Sequence, residues 1–128
     1  MNNKSDLLKK VKLLKHEITF NQKFITGFYG NPFKIPKYEQ KAYGNSVECA
    51  DYLLTKLENA IKADCEKDVD RFWWMVKAEL YRGYYWFSEN VVYPDDDTFH
   101  YQHSCELIEL LEGDIREEIK RLYPGLNV

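Results

Sequence analysis

The chain has 128 residues, of which 45% are hydrophobic and 30% charged, and its formal net charge is −3 at neutral pH. This length and composition exclude a disordered polymer and predict a single helical domain over residues 1–128 with its own core. The charge is unevenly placed. Residues 1–45 contain nine lysines and three acids, whereas residues 88–118 contain ten acids and one arginine. Such polarity bears on partners and association rather than on the fold.

Cellular location is predicted from what the chain lacks. Its three cysteines are widely separated and form no CxxC pair, which argues against a disulfide framework or a zinc knuckle. The first residues carry a charge every few positions, unlike a signal peptide. The apolar runs at 72–76 and 84–87 are far shorter than the roughly 20 residues of a membrane span. We therefore expect a cytoplasmic protein that does not enter a membrane.

The first predicted helix covers residues 5–28. Its apolar residues recur every three or four positions from Leu7 to Phe28, and Asn21 falls in the same stripe. A hairpin around Asn21–Gln22 is the alternative, because β-branched and aromatic residues are frequent from Ile18 onward. Residues 29–45 contain two glycines and two prolines and are predicted to form a loop.

The second and third predicted helices cover residues 46–63 and 68–88. Asn45 is expected to cap the former and Asp68 the latter. A short break separates them, because one continuous helix of about 43 residues would extend roughly 65 Å, too long for a small domain. The third helix is apolar on nearly all sides, which predicts a central, buried position. In the alternative, residues 84–87 and 91–93 form a small hairpin.

The fourth predicted helix covers residues 98–123 and ends before Pro124-Gly125. The predicted fold is therefore all-α, an irregular four-helix bundle, and the alternative is an α+β fold with one or two small hairpins. The middle of the predicted core is formed by six aliphatic residues: Leu54, Leu57, Val76, Leu80, Ile108 and Leu111.

No catalytic or cofactor motif accompanies these helices. His100 and His103 share a helix face but lack further ligands, so we predict no metal site and keep these two as weak candidates. Glu106, Glu109 and Glu112 have the spacing of helical carboxylate sites without the Glu-x-x-His turn of di-metal bundles. The prediction is a non-enzymatic protein without a cofactor. The alternative is a small metal- or nucleotide-dependent enzyme that uses the acids of the last helix.

A block of aromatic residues runs from Trp73 to Tyr101. Most of them are expected in the core, and some are expected to rim a groove beside the acids, where Trp and Tyr are typical hot-spot residues. The predicted partner-binding residues combine acids with two aromatics: Asp95, Asp96, Asp97, Tyr93, Glu106, Glu109 and Trp86.

These features predict a protein-binding module whose partner has a basic surface. An inhibitor or immunity-type protein that masks a basic effector fits best. Bacterial toxin immunity proteins and phage anti-defence proteins share this general composition, so a phage or bacterial accessory protein is the expected setting. Direct nucleic-acid binding is not favoured, because the N-terminal bases are all lysines and the net charge is negative. A structural homo-oligomer, including a homodimer, is a further alternative.

Overall fold

A computed structural model describes residues 4–25, 37–81 and 99–128, and these residues form four helices and no strand. The helices are α1 (Lys4–Ile25), α2 (Lys37–Lys62), α3 (Glu66–Glu79) and α4 (Phe99–Leu122). The prediction of an all-α four-helix bundle is confirmed. α1 continues through Asn21–Gln22, so the first hairpin alternative is wrong. Residues 26–28 and the second hairpin alternative, at 84–93, lie outside the described residues.

The helices run alternately up and down. Lys4 Nζ lies 3.3 Å from the carbonyl oxygen of Lys62, Ser46 Oγ lies 2.9 Å from Glu79 Oε1, and Asn21 Nδ2 lies 3.1 Å from Ser104 Oγ. The first and third contacts join residues near the beginning of one helix to residues near the end of another, and the second joins the first half of α2 to the end of α3, which makes α1–α2, α2–α3 and α1–α4 antiparallel pairs. α1 packs between α2 and α4, while α3 packs chiefly on α2.

Apolar side chains from all four helices form one buried cluster. Five of the six predicted central residues belong to it, namely Leu54, Leu57, Val76, Leu80 and Ile108. The sixth, Leu111, is only partly buried, so its prediction is corrected. The buried face of α4 runs through Ile108, Ile115 and Ile119, which are separated by about two helical turns and then by about one turn. Leu111 lies at the edge of this face.

α2 begins at Lys37, nine residues before the predicted start at residue 46. The expected loop at 29–45 is therefore wrong for residues 37–45, and Asn45 lies inside the helix rather than at its cap. Gly44 costs about 1 kcal/mol in a helix interior. The following buried face, from Val47 to Ile61, stabilises the helix by more than that.

The predicted break between the second and third helices is present at residues 63–65. The N–H of Asp64 donates to the carbonyl of Ile61, and the N–H of Cys65 donates to that of Ala60, which together form a Schellman motif. Asp64 occupies its left-handed position, with φ of 52°. The predicted cap is wrong, because α3 begins two residues before Asp68, and the N-cap is Cys65, whose side chain makes no capping hydrogen bond.

Candidate partner-binding surface

The outer face of α3 carries exposed aromatic side chains. Val69, Trp73, Val76 and Leu80 form its buried face, whereas Trp74 is 51% exposed and Tyr81 is 65% exposed, with exposed Ala78 between them. The prediction that α3 is buried on nearly all sides is therefore wrong. Residues 80 and 81 continue α3 beyond Glu79 as π-helix. Positions 74, 78 and 81 lie on one side of this helix, so they form a second stripe whose side chains are largely exposed.

α4 contributes charged residues of both signs beside this stripe. Lys77 on α3 is close enough to Glu112 and Arg116 on α4 for these groups to affect one another's pKa. Burial raises the pKa of Glu112, and the two cations oppose that shift. Burial lowers the pKa of Lys77, opposed by Glu112. Glu109 lies one turn before Glu112 on the α3-facing side of α4 and is exposed.

Lys77 also holds Trp74 in place. Its Nζ lies 3.7 Å from the centroid of the Trp74 ring, which is within the range of a cation–π interaction. One face of the indole is therefore packed against a side chain of the same helix, while half of the residue remains accessible to solvent. Trp74 is thus an exposed aromatic side chain that Lys77 contacts on one face of its ring.

We call Trp74, Tyr81, Glu106 and Glu109 the acid–aromatic surface. Glu106 and Glu109 were predicted from the sequence, and both are exposed on α4. The other predicted partner-binding residues, Tyr93, Asp95, Asp96, Asp97 and Trp86, lie outside the described residues. Trp74 and Tyr81 were missed as site residues. The sequence does contain their signal, because a helix of a small bundle that carries two apolar stripes buries only one of them.

Within the part of the chain that the structure describes, side chains do not come together as the ligand set of a metal site. No group of three potential ligands occurs there. His103 is exposed, and the side chain of His100 lies outside the described residues. Buried Glu58 pairs with Lys15 at 3.1 Å, whereas buried Glu79 accepts a hydrogen bond from Ser46. Ser46 and Glu58 are separated by about 18 Å along α2, so the two glutamates belong to different parts of the bundle.

A second polar cluster surrounds Asp64 at the α2–α3 turn. Lys4 Nζ donates to Asp64 Oδ2 at 2.8 Å, and the Tyr123 hydroxyl donates to Asp64 Oδ1 at 3.1 Å. The hydrogen bond from Lys4 lowers the pKa of Asp64. Burial, with the bond to Asp64, raises the pKa of Tyr123 to about 12. These bonds join the turn to the start of α1 and the end of α4, and they favour the carboxylate in the left-handed position.

The outer face of α1 has the opposite charge. We call Lys9, Lys12 and Leu13 the basic face; both lysines are exposed, and Leu13 is 50% exposed. The three residues line an open groove of about 620 Å³. Other lysines of the helix point to its neighbours instead, as Lys10 pairs with Glu118 at 3.5 Å and Lys15 with Glu58. The uneven charge of the sequence thus becomes two differently charged surfaces.

Comparisons with protein-family models, with curated proteins and with solved structures find no match to this chain. Among the helices in the described ranges, none combines the length and the apolar character that crossing a bilayer requires.

Proposed function

We propose that this chain is a non-enzymatic protein-binding module that engages a basic protein surface through the acid–aromatic surface. The observation that carries the proposal is the pair of exposed aromatics, Trp74 and Tyr81, on a bundle whose core is filled by other residues. Uncovered Trp and Tyr side chains beside polar groups are typical of binding sites. The exposed acids Glu106 and Glu109 on α4 favour a partner of opposite charge.

The two kinds of residue have different roles in this proposal. Trp74 and Tyr81 supply contact area and slow dissociation, because burying an aromatic residue removes a large apolar area from water. The contact from Lys77 restricts Trp74 before binding, which reduces the entropy that the complex would lose. Glu106 and Glu109 attract the basic partner during encounter and therefore act on the association rate.

The finer parts of the proposal concern the type of partner and the location. We propose an inhibitor or immunity-type role, in which the bound module masks a basic effector. All three cysteines are free thiols, which fits a reducing compartment, and we propose the cytoplasm. Asp95, Asp96 and Asp97 are proposed to extend the same acidic surface.

Affinity capture from the native host tests the aromatic part, with four purified baits. Wild type and the control Tyr38→Ala/Tyr52→Ala, whose exposed aromatics lie on α2, are expected to retain one basic protein. Trp74→Ala/Tyr81→Ala is expected to lose it. With the captured protein purified, Trp74→Ala should weaken Kd at least about 30-fold, corresponding to a hot spot of about 2 kcal/mol, mainly through faster dissociation. Equal capture by all baits would rule out this surface.

Association kinetics at two salt concentrations test the acidic part. Glu106→Gln/Glu109→Gln is expected to slow association and to reduce its salt dependence, with little change in dissociation. The matched control is Glu48→Gln/Glu66→Gln, which removes two exposed acids elsewhere. Neutralising Asp95, Asp96 and Asp97 to Asn should act in the same direction as the first pair. An association rate that both glutamate pairs change equally contradicts a localised acidic site.

A further inference from the structure

We infer that the basic face of α1 in one copy of this protein binds the acid–aromatic surface of another copy, so that the chain associates with itself when its basic partner is absent. The inference rests on the proposed function, because it assigns a competing occupant to the same surface. It concerns regulation of that surface: a second copy would have to leave before the basic partner binds.

Charge complementarity is the first argument. α1 contains six lysines and two acids. Lys10 and Lys15 pair with acids of neighbouring helices, whereas Lys9 and Lys12 form no ion pair with any described residue. Within the same ranges, Glu106 and Glu109 are likewise exposed and make no ion pair. Each surface thus presents two charges that the bundle itself does not neutralise.

The spacing of these charges is the second argument. Lys9 and Lys12 are three residues apart on one helix, and Glu106 and Glu109 are three residues apart on another, so each pair spans about 4.5 Å along its axis. Two helices laid side by side therefore bring both lysines against both glutamates at once. Leu13 adds an exposed apolar group next to the lysines, as Trp74 and Tyr81 do beside the glutamates.

The placement of the two surfaces in one copy bears on the kind of assembly. α1 packs on α4, which carries Glu106 and Glu109, whereas α3, which carries Trp74, packs chiefly on α2. The basic face and the acid–aromatic surface therefore lie on different helices of one copy. Two copies that exchange both contacts at once form a closed dimer, and copies that make one contact each with two neighbours form rings or open chains. A single helix face covers less than the roughly 800 Å² per partner of a stable complex, so the association is weak and sensitive to salt.

Sedimentation velocity of the wild-type protein over a wide concentration range provides the first test. At low salt, the average mass is expected to rise with concentration above the mass of the monomer. At high salt, the protein is expected to remain a monomer. A mass that does not change with concentration at low salt, or a dimer that persists at high salt, would overturn the inference.

A charge swap provides the decisive test. Lys9→Glu/Lys12→Glu and Glu106→Lys/Glu109→Lys should each lose association, because like charges then meet. An equimolar mixture of the two variants should associate again, because each variant offers the surface that the other needs. The control Lys37→Glu/Lys41→Glu changes two exposed lysines at the start of α2 and should associate like wild type. A mixture that stays monomeric overturns the inference even if both variants are folded.

Failure of the inference and failure of the proposed function give different results. If wild type is always a monomer but Trp74→Ala/Tyr81→Ala loses the captured basic protein, the self-association hypothesis is rejected and the proposed function is supported. If the charge-swapped mixture associates but no aromatic substitution affects capture, self-association is supported and the proposed function is rejected. If both hold, Lys9→Glu/Lys12→Glu should bind the basic partner faster than wild type at high protein concentration, because its acid–aromatic surface is unoccupied.

Discussion

Trp73 and Trp74 are neighbours in the sequence but belong to two different regions of the molecule. Trp73 is fully buried in the core, whereas half of Trp74 is exposed on the acid–aromatic surface. The 100° step between consecutive helical residues separates them. Aromatic content alone therefore does not predict burial. What decides is whether a residue belongs to the stripe that already runs through Val69, Val76 and Leu80.

Burial of Trp73 has both a free-energy cost, from its indole N–H, and a free-energy gain, from its apolar ring. Trp73 Nε1 is buried and has no hydrogen-bond partner among the residues that the structure describes. An unpaired donor costs about 1–3 kcal/mol. Burial of roughly 200 Å² of indole contributes about 5 kcal/mol, which exceeds that cost. Trp73 thus stabilises the fold by its size, while Trp74 is available for binding.

Truncating each of the two tryptophans to alanine tests this difference between a buried and an exposed position, and the effect at Trp73 is expected to be large. Trp73→Ala should lower the free energy of unfolding by about 3–5 kcal/mol, because it leaves a large cavity. Trp74→Ala should lower it by no more than about 1 kcal/mol, the contribution of its contact with Lys77. Urea unfolding followed by far-UV circular dichroism measures both, and Trp73→Phe, with its smaller volume loss, is the control. Equal losses at the two positions would mean that the faces of α3 are assigned wrongly.

A second prediction contrasts central and edge positions of the core. Leu57→Ala and Leu80→Ala should each cost about 2–5 kcal/mol, since both side chains are buried. Leu111→Ala should cost less than either, about 1–2 kcal/mol, because part of the side chain already contacts water. The same urea experiment measures the three variants. A Leu111→Ala variant as unstable as Leu57→Ala would show that α4 is rotated relative to this description.

Helix number and most of the core were predictable, because they follow from local periodicity. The stripes from Leu7 to Ile18 and from Leu54 to Ile61 are buried as expected. The start of α2 was not predictable from turn-forming residues, since the packed face beyond Val47 outweighs the penalty of Gly44. In the candidate site, exposure of the two glutamates was foreseen. The exposure of Trp74 was not, because it depends on which face of α3 meets α2.

The turn at Asp64 shows the same limit in another way. A left-handed residue that ends a helix is usually Gly or Asn, so an aspartate there gives little indication from sequence. Its side-chain partners, Lys4 and Tyr123, are 60 and 59 residues away along the chain. Only the folded bundle brings them together. Local rules predicted that a break occurs, and long-range contacts determined where it lies.

A third prediction removes one of those contacts. Tyr123→Phe should cost roughly 0.5–1.5 kcal/mol, the contribution of one hydrogen bond. The raised pKa of Tyr123 favours its neutral form in the folded state, so its contribution is present below about pH 10 and is lost as the pH rises through about 12. The stability of Tyr123→Phe should therefore fall less steeply across that window than that of wild type. Thermal unfolding at several alkaline pH values measures the difference.

The pH dependence of stability that comes from the Asp64 carboxylate provides the control for this prediction. The lowered pKa of Asp64 means that its contribution is present above the ordinary carboxyl value and is lost as the pH falls through the lower folded value. Asp64→Asn keeps a residue that tolerates the left-handed conformation and removes the charge. It should flatten the acid limb and also weaken the alkaline limb in part, because the bond to Asp64 contributes to the raised pKa of Tyr123 while burial, the larger cause, remains. If Tyr123→Phe and Asp64→Asn change only the same limb, the assignment of the two shifts is incorrect.

A small gain in stability is expected from replacing Gly113, which lies in the interior of α4 next to Glu112. A Cβ atom added there would meet no atom within 4 Å, so the folded bundle imposes no steric need for glycine. Gly113→Ala should raise the free energy of unfolding by about 0.5–1 kcal/mol, because alanine loses less conformational freedom in a helix. Gly125→Ala is the comparison: its Cβ would lie 3.2 Å from Glu66 Oε1, and the position lies outside any helix, so no such gain is expected. Urea unfolding of the two variants separates these cases. If Gly113→Ala destabilises the protein, then α4 is closely covered at this point, and the region beside the acid–aromatic surface is not as open as described here.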